Sequence, residues 1–315
     1  MKLSVKDLTA RYSSSSGPVY AVENVNFELN EGESLGIAGE SACGKSTLGL
    51  SIIRMLSGGT TQGQIVLDDD SILDLSESEF DEKFRWKKIS MIFQGAMNSL
   101  DPVFTIKDQF EEVLKQHNFQ GDVKQTISDA LRSVSLDEEV VLKKYPHELS
   151  GGMKQRVVIA MALLLKPKFV IADEPTTALD VLIQAQIVNL LKQLKKDGMS
   201  FMLITHDLAV LSEIADKIGI MYGGQMVEFG TSYEIYKNPK HPYTQGLLKS
   251  IPLLHGDKPS YIKGIPPSLL EPPTECRFIE RCPKAFDKCK KLPPDFKTKT
   301  GFVKCWLYED EKLSN

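Results

Sequence analysis

The stretch "GESACGKST", residues 39–47, decides the fold class of this sequence. From Gly39 to Ser46 it fits the pattern G-x-x-x-x-G-K-S/T, with the strand-like run "SLGIAG" leading into it. A helical pattern follows, from Ser46 to about Leu56. A glycine-rich turn that caps a helix is the alternative interpretation, but a preceding strand and a following helix are the context of a phosphate-binding loop. The stretch therefore predicts an α/β fold that binds a nucleotide.

The residues of this loop have separate chemical tasks. Gly39 and Gly44 let backbone N–H groups turn inward, where they and the helix N-terminus neutralise phosphate oxygens. Lys45 is expected to reach the β- and γ-phosphates, and Ser46 to ligate Mg²⁺. The predicted phosphate-binding set is Gly39, Glu40, Ser41, Ala42, Cys43, Gly44, Lys45, Ser46 and Thr47.

A second apolar run, "FVIADE" at residues 169–174, ends in two carboxylates. At the tip of a buried strand, Asp173 is expected to hold the Mg²⁺ shell. Glu174 is expected to polarise the attacking water as general base. Solvated acids at a strand end are the alternative interpretation, and the phosphate loop elsewhere in the chain favours the catalytic one.

The composition limits the class of protein. The chain has 315 residues and a net charge of -4, so no excess of positive charge indicates a nucleic-acid surface, and no nucleic-acid partner is expected. The longest apolar run, "VVIAMALLL" at residues 157–165, is too short for a membrane span. The start "MKLSVKDLTARY" is typical of a strand and not of a signal peptide. We therefore expect a cytosolic chain whose membrane role comes through a partner.

The remaining sequence indicates a modular organisation. Residues 1–37 alternate like β-strands, whereas residues 106–144 have helical periodicity. After about Gly230 prolines cluster and periodicity is poor, which is typical of an appended module. The predicted parts are a nucleotide-binding domain over 1–235, a helical subdomain within it at about 96–160, and a C-terminal module over 236–315.

In this order and spacing, the motifs resemble those of the ATP-binding cassette (ABC) ATPases, over about Met1 to Gly230. "LSGGMKQR" at residues 149–156 resembles the family signature, and "TTALD" at residues 176–180 resembles its D-loop. The resemblance implies a P-loop NTPase core of ABC type, with an antiparallel β subdomain, a helical insertion and a small Cys-rich tail. It also implies individual roles: Tyr12 stacks on adenine, Gln94 senses the γ-phosphate and binds Mg²⁺, Asp180 contacts nucleotide, and Glu174, His206, Lys45 and Gln94 are catalytic.

The resemblance also implies a partner subunit. In this family two nucleotide-binding subunits meet head to tail, and the signature of each covers the ATP held by the other. Ser150, Gly151 and Gly152 are therefore expected to contact a γ-phosphate on a partner, although a plain N-cap is an alternative for such a helix start. One phosphate loop and one signature make the expected partner a separate polypeptide, either a second copy or a related protein.

Two residues of the phosphate loop depart from the family pattern. Ala42 and Cys43 stand where Gly and Ser are common, and because both are small the backbone geometry is expected to survive. Cys43 lies beside a helix N-terminus, which tends to lower the pKa of a thiol. We therefore expect thiol-alkylating reagents to inhibit ATPase activity and bound ATP to protect it.

Several segments resemble one subgroup, the dipeptide and oligopeptide importer ATPases. They are "FQGAMNSLDP", "NPKHPYTQGLL" at residues 238–248, and the tail from "GIPPSLLEPPTEC" to "VKCW". The resemblance implies a second, similar ATPase, two transmembrane permeases and an extracytoplasmic solute-binding protein, with this chain on the cytoplasmic face of the membrane. Oligosaccharide import and a non-transport ABC ATPase are the alternatives. Asp101 and Gly95 depart from the subgroup near the permease-facing loop.

Four of the five cysteines fall in the last forty residues: Cys276, Cys282, Cys289 and Cys305. Their spacing is not the paired C-x-x-C of a zinc ribbon. In a reducing cytosol, structural disulfides are disfavoured and metal ligation is favoured. The subgroup resemblance implies a 4Fe–4S cluster, with Zn²⁺ as the competitor and unligated thiols as the third alternative.

Overall fold

The computed structural model describes residues 2–251 and 261–310. The chain divides into two compact units. The helical unit comprises Asp74–Met202, and the phosphate-loop unit combines Lys2–Leu73 with the chain from Leu203 onward. In the described ranges, no helix has both the length and the apolarity to cross a bilayer.

The strands of the described chain range from two to thirteen residues. In chain order they are β1 (Leu3–Ser14), β2 (Gly17–Leu29), β3 (Leu35–Ala38), β4 (Gly59–Leu67), β5 (Asp70–Ser71), β6 (Ile89–Ile92), β7 (Phe169–Asp173), β8 (Ser200–Ile204), β9 (Lys217–Tyr222), β10 (Gln225–Thr231), β11 (Phe296–Lys297) and β12 (Phe302–Val303).

The α-helices of the described chain occur in both units. They are α1 (Lys45–Ile52), α2 (Glu77–Lys83), α3 (Ile106–Gln116), α4 (Val123–Ser133), α5 (Glu138–Val141), α6 (Gly151–Leu163), α7 (Val181–Lys196), α8 (Leu208–Ile214), α9 (Ser232–Lys237) and α10 (Pro242–Lys249).

The phosphate-loop unit contains two sets of strands. An antiparallel sheet has the order β2-β1-β4-β5, and its long strands bury one face. The second set has the order β11-β12-β10-β9-β3, in which β3 and β9 are parallel and the other pairs antiparallel. β3 is buried at every residue, as expected of a strand covered on both faces.

The helical unit combines parallel strands with capped helices. β6 and β7 pair in parallel, from Ile89 with Phe169 to Ile92 with Ala172. Thr105 and Asp108 form a capping box at the start of α3, and Asp122 caps α4. These side chains satisfy backbone N–H groups that lack partners within their own helix.

The structure confirms the predicted α/β class with an antiparallel subdomain and differs at two element ends. The helix expected up to about Leu56 stops at Ile52, and Arg54 just beyond it adopts a left-handed φ of 57°. The helical run predicted over 106–144 is divided into α3, α4 and α5, and Asn118 between the first two has a φ of 51°. Left-handed residues of this kind are unfavourable within a right-handed helix.

The chain beyond Gly230 has more regular structure than its composition indicated. It forms α9 and α10, and β12 pairs with β10 through Glu228 with Val303 and Phe229 with Phe302. Part of the segment between α10 and the cysteines, residues 252–260, lies outside the described residues, as do residues 311–315. The described tail therefore packs as part of the phosphate-loop unit.

Candidate nucleotide-binding and hydrolysis site

The phosphate loop connects β3 to α1. Gly39 and Gly44 have φ values of 156° and 101°. A Cβ atom at Gly39 would lie 2.2 Å from the carbonyl oxygen of Met221, and one at Gly44 would lie 2.0 Å from that of Ala21. Because both obstacles are backbone atoms, only glycine fits at either position.

Lys45 is the first residue of α1 and is buried. Its Nζ donates to the carbonyl oxygens of Gly39 and Glu40, each at 2.8 Å, so the ammonium group is held within the loop. Gly44 caps α1 without a side-chain hydrogen bond, and the first turn contains no acidic residue. The start of α1 therefore offers positive potential and backbone donors to an oxyanion.

Tyr12, near the end of β1, lies beside this loop. Its hydroxyl oxygen is 3.4 Å from Oγ1 of Thr47, and the side chain is half-buried. This places an aromatic ring next to the phosphate-binding residues. The stacking of Tyr12 on adenine stays a prediction.

The carboxylates of "FVIADE" lie where the sequence pattern predicts, at the end of β7. Asp173 is the last residue of that strand and is 3% exposed. Glu174 follows with a left-handed φ of 46°. Its Oε2 accepts hydrogen bonds from Nε2 of Gln94 at 3.2 Å and from Oγ1 of Thr177 at 2.8 Å. Two donors on one oxygen fix the orientation of this carboxylate.

Strand topology explains why Gln94 and Glu174 meet. β6 ends at Ile92 and β7 at Asp173, and the two strands run in parallel. The carboxyl ends of parallel neighbours lie at the same edge of a sheet, so the residues that follow them are close although they are distant in sequence.

The signature stretch forms the start of α6. Ser150 is the N-cap, and its hydroxyl accepts a hydrogen bond from the Met153 N–H at 3.3 Å. A Cβ at Gly152 would lie 2.9 Å from Cγ2 of Ile183, whereas one at Gly151 would meet nothing closer than 3.7 Å. Packing against α7 therefore accounts for Gly152, but no packing contact within ranges 2–251 and 261–310 requires glycine at position 151.

The D-loop is held by α7. Asp180 caps this helix by accepting from the Ile183 N–H at 3.0 Å. Nε2 of Gln184 donates to the carbonyl oxygens of Thr176 and Leu179, at 3.2 and 3.1 Å. These hydrogen bonds give the loop a defined conformation. The exposed Asp180 therefore has a structural role as the N-cap of α7.

His206 follows the end of β8 and is exposed. Its neighbour Asp207 caps α8 by accepting from the N–H groups of Ala209 and Val210. The buried strand and the capped helix on either side fix the backbone on which His206 is presented.

The predicted site residues are distributed over both units. The phosphate-loop unit contains Tyr12, Gly39–Thr47 and His206. The helical unit contains Gln94, Ser150, Gly151, Gly152, Asp173, Glu174 and Asp180. The proposed Mg²⁺ ligands Ser46, Gln94 and Asp173 are therefore divided between the units, and their joint coordination stays a prediction.

The tail cysteines share one region of the phosphate-loop unit. Cys289 and Cys305 are buried, whereas Cys276 and Cys282 are half-buried. Burial first, and then the nearby Cys289, Cys305 and Cys282, raise the pKa of the Cys276 thiol to about 12. Among the described residues, however, no three His, Cys, Asp or Glu side chains are arranged to hold a metal ion. The donor chemistry fits a tetrathiolate site, and the geometry does not confirm one.

Comparisons with known proteins match nearly the whole chain. Residues 22–177 match the family model described as ABC transporter, and residues 227–289 match the oligopeptide/dipeptide transporter C-terminal region. The oligopeptide transport ATP-binding protein AppD of Bacillus subtilis is 46% identical, over 98% of this chain and 97% of its own. The corresponding OppD of Escherichia coli is 44% identical, over 93% of this chain and 88% of its own.

The chain belongs to the ABC transporter ATPases. A solved dimer of the ATP-binding cassette MJ0796, bound to ADP and Pi, agrees at 30% identity with a TM-score of 0.65. That match covers 73% of this chain and 98% of the cassette. The predicted ABC fold and ATP-hydrolysing activity are thereby confirmed.

The expectation of a low pKa for the thiol in the phosphate loop of this ABC ATPase is wrong. Cys43 is 5% exposed, and burial raises the pKa of its thiol above the ordinary value. Lys45 opposes this shift without reversing it. The cost of desolvating a thiolate exceeds the benefit of the nearby helix N-terminus.

Sequence reasoning missed contacts of the ABC site, including one in the helical unit and one in the phosphate-loop unit. Thr177 donates a hydrogen bond to Glu174. Because Thr177 lies only three residues after Glu174, within "TTALD", the sequence could have indicated this contact. Arg281 of the tail pairs with Glu40 of the phosphate loop, with Nη1 to Oε2 at 2.7 Å. A separation of 241 residues left no local signal for this pair.

We expect Cys43 to be protected from alkylation in the folded chain because its thiol is buried and protonated. At pH 8, iodoacetamide should label Cys43 at least about tenfold more slowly in native protein than in urea. Peptide mapping by mass spectrometry separates Cys43 from the tail cysteines. Equal rates in both states would contradict the assigned burial.

Proposed function

We propose that this chain is the ATP-hydrolysing subunit of an importer for dipeptides or oligopeptides, energised by ATP-driven dimerisation of two nucleotide-binding subunits. The observation that carries the catalytic proposal is the Glu174 carboxylate at the end of β7, oriented by Gln94 and Thr177. The match of residues 227–289 to the oligopeptide/dipeptide C-terminal region supports the solute class.

The proposed mechanism assigns a task to each group. Gly39–Thr47 bind the phosphates of ATP through backbone N–H groups, and Lys45 exchanges its carbonyl partners for the β- and γ-phosphates. Ser46, Gln94 and Asp173 would hold Mg²⁺, which would supply charge neutralisation at the phosphates. Glu174 accepts a proton from the attacking water, and His206 contacts the γ-phosphate. Tyr12 stacks on adenine.

The second half of the site is proposed to come from a partner. Ser150, Gly151 and Gly152 cover a γ-phosphate bound by the other subunit, and Asp180 approaches the same nucleotide. The open space around Gly151 supports this assignment, because no contact with the described residues explains its lack of a side chain. The exposed Val181 and Leu182, directly after Asp180, are apolar surface next to the proposed interface.

Transport requires subunits beyond this chain. We propose a related ATPase as the dimer partner, two transmembrane permeases, and an extracytoplasmic protein that delivers the solute. Exposed Phe93, Val103 and Phe104, on either side of the Gln94 loop, are suited to an apolar permease contact. With such contacts the chain would lie at the cytoplasmic face of the membrane as a peripheral subunit.

An oligosaccharide importer with the same machinery is the second candidate, because the residues proposed to bind and hydrolyse ATP do not identify the solute. A non-transport ABC ATPase is disfavoured. Such proteins typically have tandem cassettes or long coiled-coil insertions, whereas between Gln94 and Ser150 the helices have at most eleven residues.

We further propose that Cys276, Cys282, Cys289 and Cys305 ligate a 4Fe–4S cluster, with Zn²⁺ as the alternative. The mutual electrostatic influence of the four thiols supports their shared location. Two short strands, β11 and β12, and short helical turns surround them, so a covalent cross-link would compensate for a small apolar core. The proposed role is structural.

Glu174→Gln tests the catalytic proposal. The amide keeps the size and hydrogen bonding of the side chain but removes the base, so turnover should fall at least about 100-fold while ATP still binds. Phosphate release and peptide uptake are measured in vesicles containing the permeases and the partner ATPase. Glu213→Gln, on exposed surface of α8, is the matched control. Normal turnover in the Glu174 variant would remove Glu174 from the mechanism.

Gly151→Ala tests the proposed contact with a partner's nucleotide. Among the residues that the structure describes, the new methyl group meets no atom closer than 3.7 Å, so the chain should fold normally. ATPase activity of the assembled complex should nevertheless fall about tenfold or more. Gly152→Ala is the comparison, because it crowds Ile183 and should also lower the melting temperature. Full activity of well-folded Gly151→Ala would contradict the proposal.

Metal analysis tests the cysteine proposal. Anaerobically purified chain should contain iron and acid-labile sulfide, with brown absorbance that is lost when Cys289 is replaced by Ser. Zinc without iron would support the alternative ligand. Neither metal in anaerobic protein would show that the thiols are unligated.

A further inference from the structure

We propose that Arg281, in the C-terminal tail, is a positioning residue for nucleotide binding. By pairing with Glu40 it neutralises and anchors the phosphate loop, so that affinity for nucleotide depends on a correctly docked tail. This inference rests on the proposed role of residues 39–47 as the phosphate-binding loop.

The contact between Arg281 and Glu40 is two-pronged. Nη1 donates to Oε2 at 2.7 Å and Nη2 donates to Oε1 at 2.9 Å. The Arg281 side chain is 5% exposed and that of Glu40 is 26% exposed. Parallel bonds of this kind, largely shielded from water, are geometrically specific and stronger than a surface ion pair.

The backbone of Glu40 is anchored as well. Its N–H donates to the hydroxyl of Tyr243 at 2.9 Å, and its carbonyl oxygen accepts from Nζ of Lys45 at 2.8 Å. Glu40, which directly follows the first glycine of the loop, is therefore fixed at both its backbone and its side chain. A change in the position of Glu40 would move the carbonyl that holds Lys45.

Aromatic packing holds Arg281 in place. Its guanidinium lies 5.6 Å from the ring centroid of Tyr222 and donates to the Tyr222 hydroxyl at 3.2 Å. Tyr222 packs on Tyr243 at 4.6 Å and meets Phe278 edge-on at 5.1 Å. Nε of Arg281 also donates to the carbonyl oxygen of Lys263 at 2.9 Å. The arginine is thus preorganised by its surroundings before nucleotide arrives.

Electrostatics give this pair a function in nucleotide binding. A carboxylate within a phosphate-binding loop repels the negative charge of a nucleotide, and in a partly buried site one unpaired charge is worth about a tenfold change in affinity. Arg281 cancels that charge through a contact that comes from outside the loop. The short helical turn Ile279–Arg281 ends directly at Cys282, so the order of the cysteine region determines where Arg281 lies.

The tail offers a matched control. Arg277 also has a 5% exposed side chain, and its Nη2 lies 3.5 Å from Oε2 of Glu23 in β2. Its guanidinium also donates to the carbonyl oxygens of Ser268 and Glu271. Arg277 therefore connects the tail to the same unit at an acid outside the phosphate loop, so its loss tests general tail docking.

The experiment measures MgADP binding to the full-length chain by isothermal titration calorimetry at low salt. MgADP is chosen because it is not hydrolysed. Arg281→Met should weaken affinity about tenfold, and Glu40→Gln/Arg281→Met should regain most of that loss because the repelling carboxylate is gone. Salt at 0.5 M should shrink the defect by screening. Arg277→Met should stay within about twofold of wild type.

The outcomes separate this inference from the proposed ATP site. Lys45→Ala should abolish binding, and if it does not, the assignment of the phosphate loop fails. If Lys45→Ala loses binding but Arg281→Met does not, only the inference about Arg281 is overturned. Equal defects in Arg277→Met and Arg281→Met, without rescue by Glu40→Gln, would show that Arg281 acts only as a tether. If thermal melting shows that Arg281→Met is unfolded, Arg281→Lys is used in its place because it keeps the positive charge. Arg281→Lys should weaken the affinity for MgADP about threefold.

Discussion

The close approach of backbone to backbone at the phosphate loop is the constraint on which this structure depends. At Gly39 and Gly44 the carbonyl oxygens of Met221 and Ala21 occupy the space of a side chain. These oxygens belong to β9 and β2, so the loop's curvature is set by one strand that precedes it and one that follows it far along the sequence. Lys45, bonded to two carbonyls of the same loop, adds a contact that a nucleotide can replace.

Local sequence patterns were sufficient where chemistry and structure share a short segment. The phosphate loop, the acidic end of β7 and the N-cap at Ser150 all follow from spacing, apolar runs and turn residues. The contact between Gln94 and Glu174 could also have been predicted, because each residue follows a buried strand. Where the carboxyl ends of parallel strands adjoin, sequence-distant residues become neighbours by a general rule.

Features that depend on burial or on distant contacts could not be predicted. A cysteine at a helix start suggests a reactive thiol, but only the packed structure shows that Cys43 is desolvated. The tail looked irregular because its strands have two residues each, too few for a periodic signal. Arg281 gave no sequence signal for its role, because arginine side chains are mostly exposed and its partner Glu40 is distant in sequence.

The bond between Arg281 and Glu40 also has a consequence for the order of events during synthesis. During translation, Glu40 is made long before Arg281, which lies 241 residues later in the sequence. Until then the newly made loop lacks its tail arginine, and it also lacks the hydroxyl of Tyr243 until that residue has been made. Domains generally fold as they emerge, but contacts of such high sequence separation form late. The nucleotide-binding loop therefore acquires its final support only after the segment that contains Arg281 has been made.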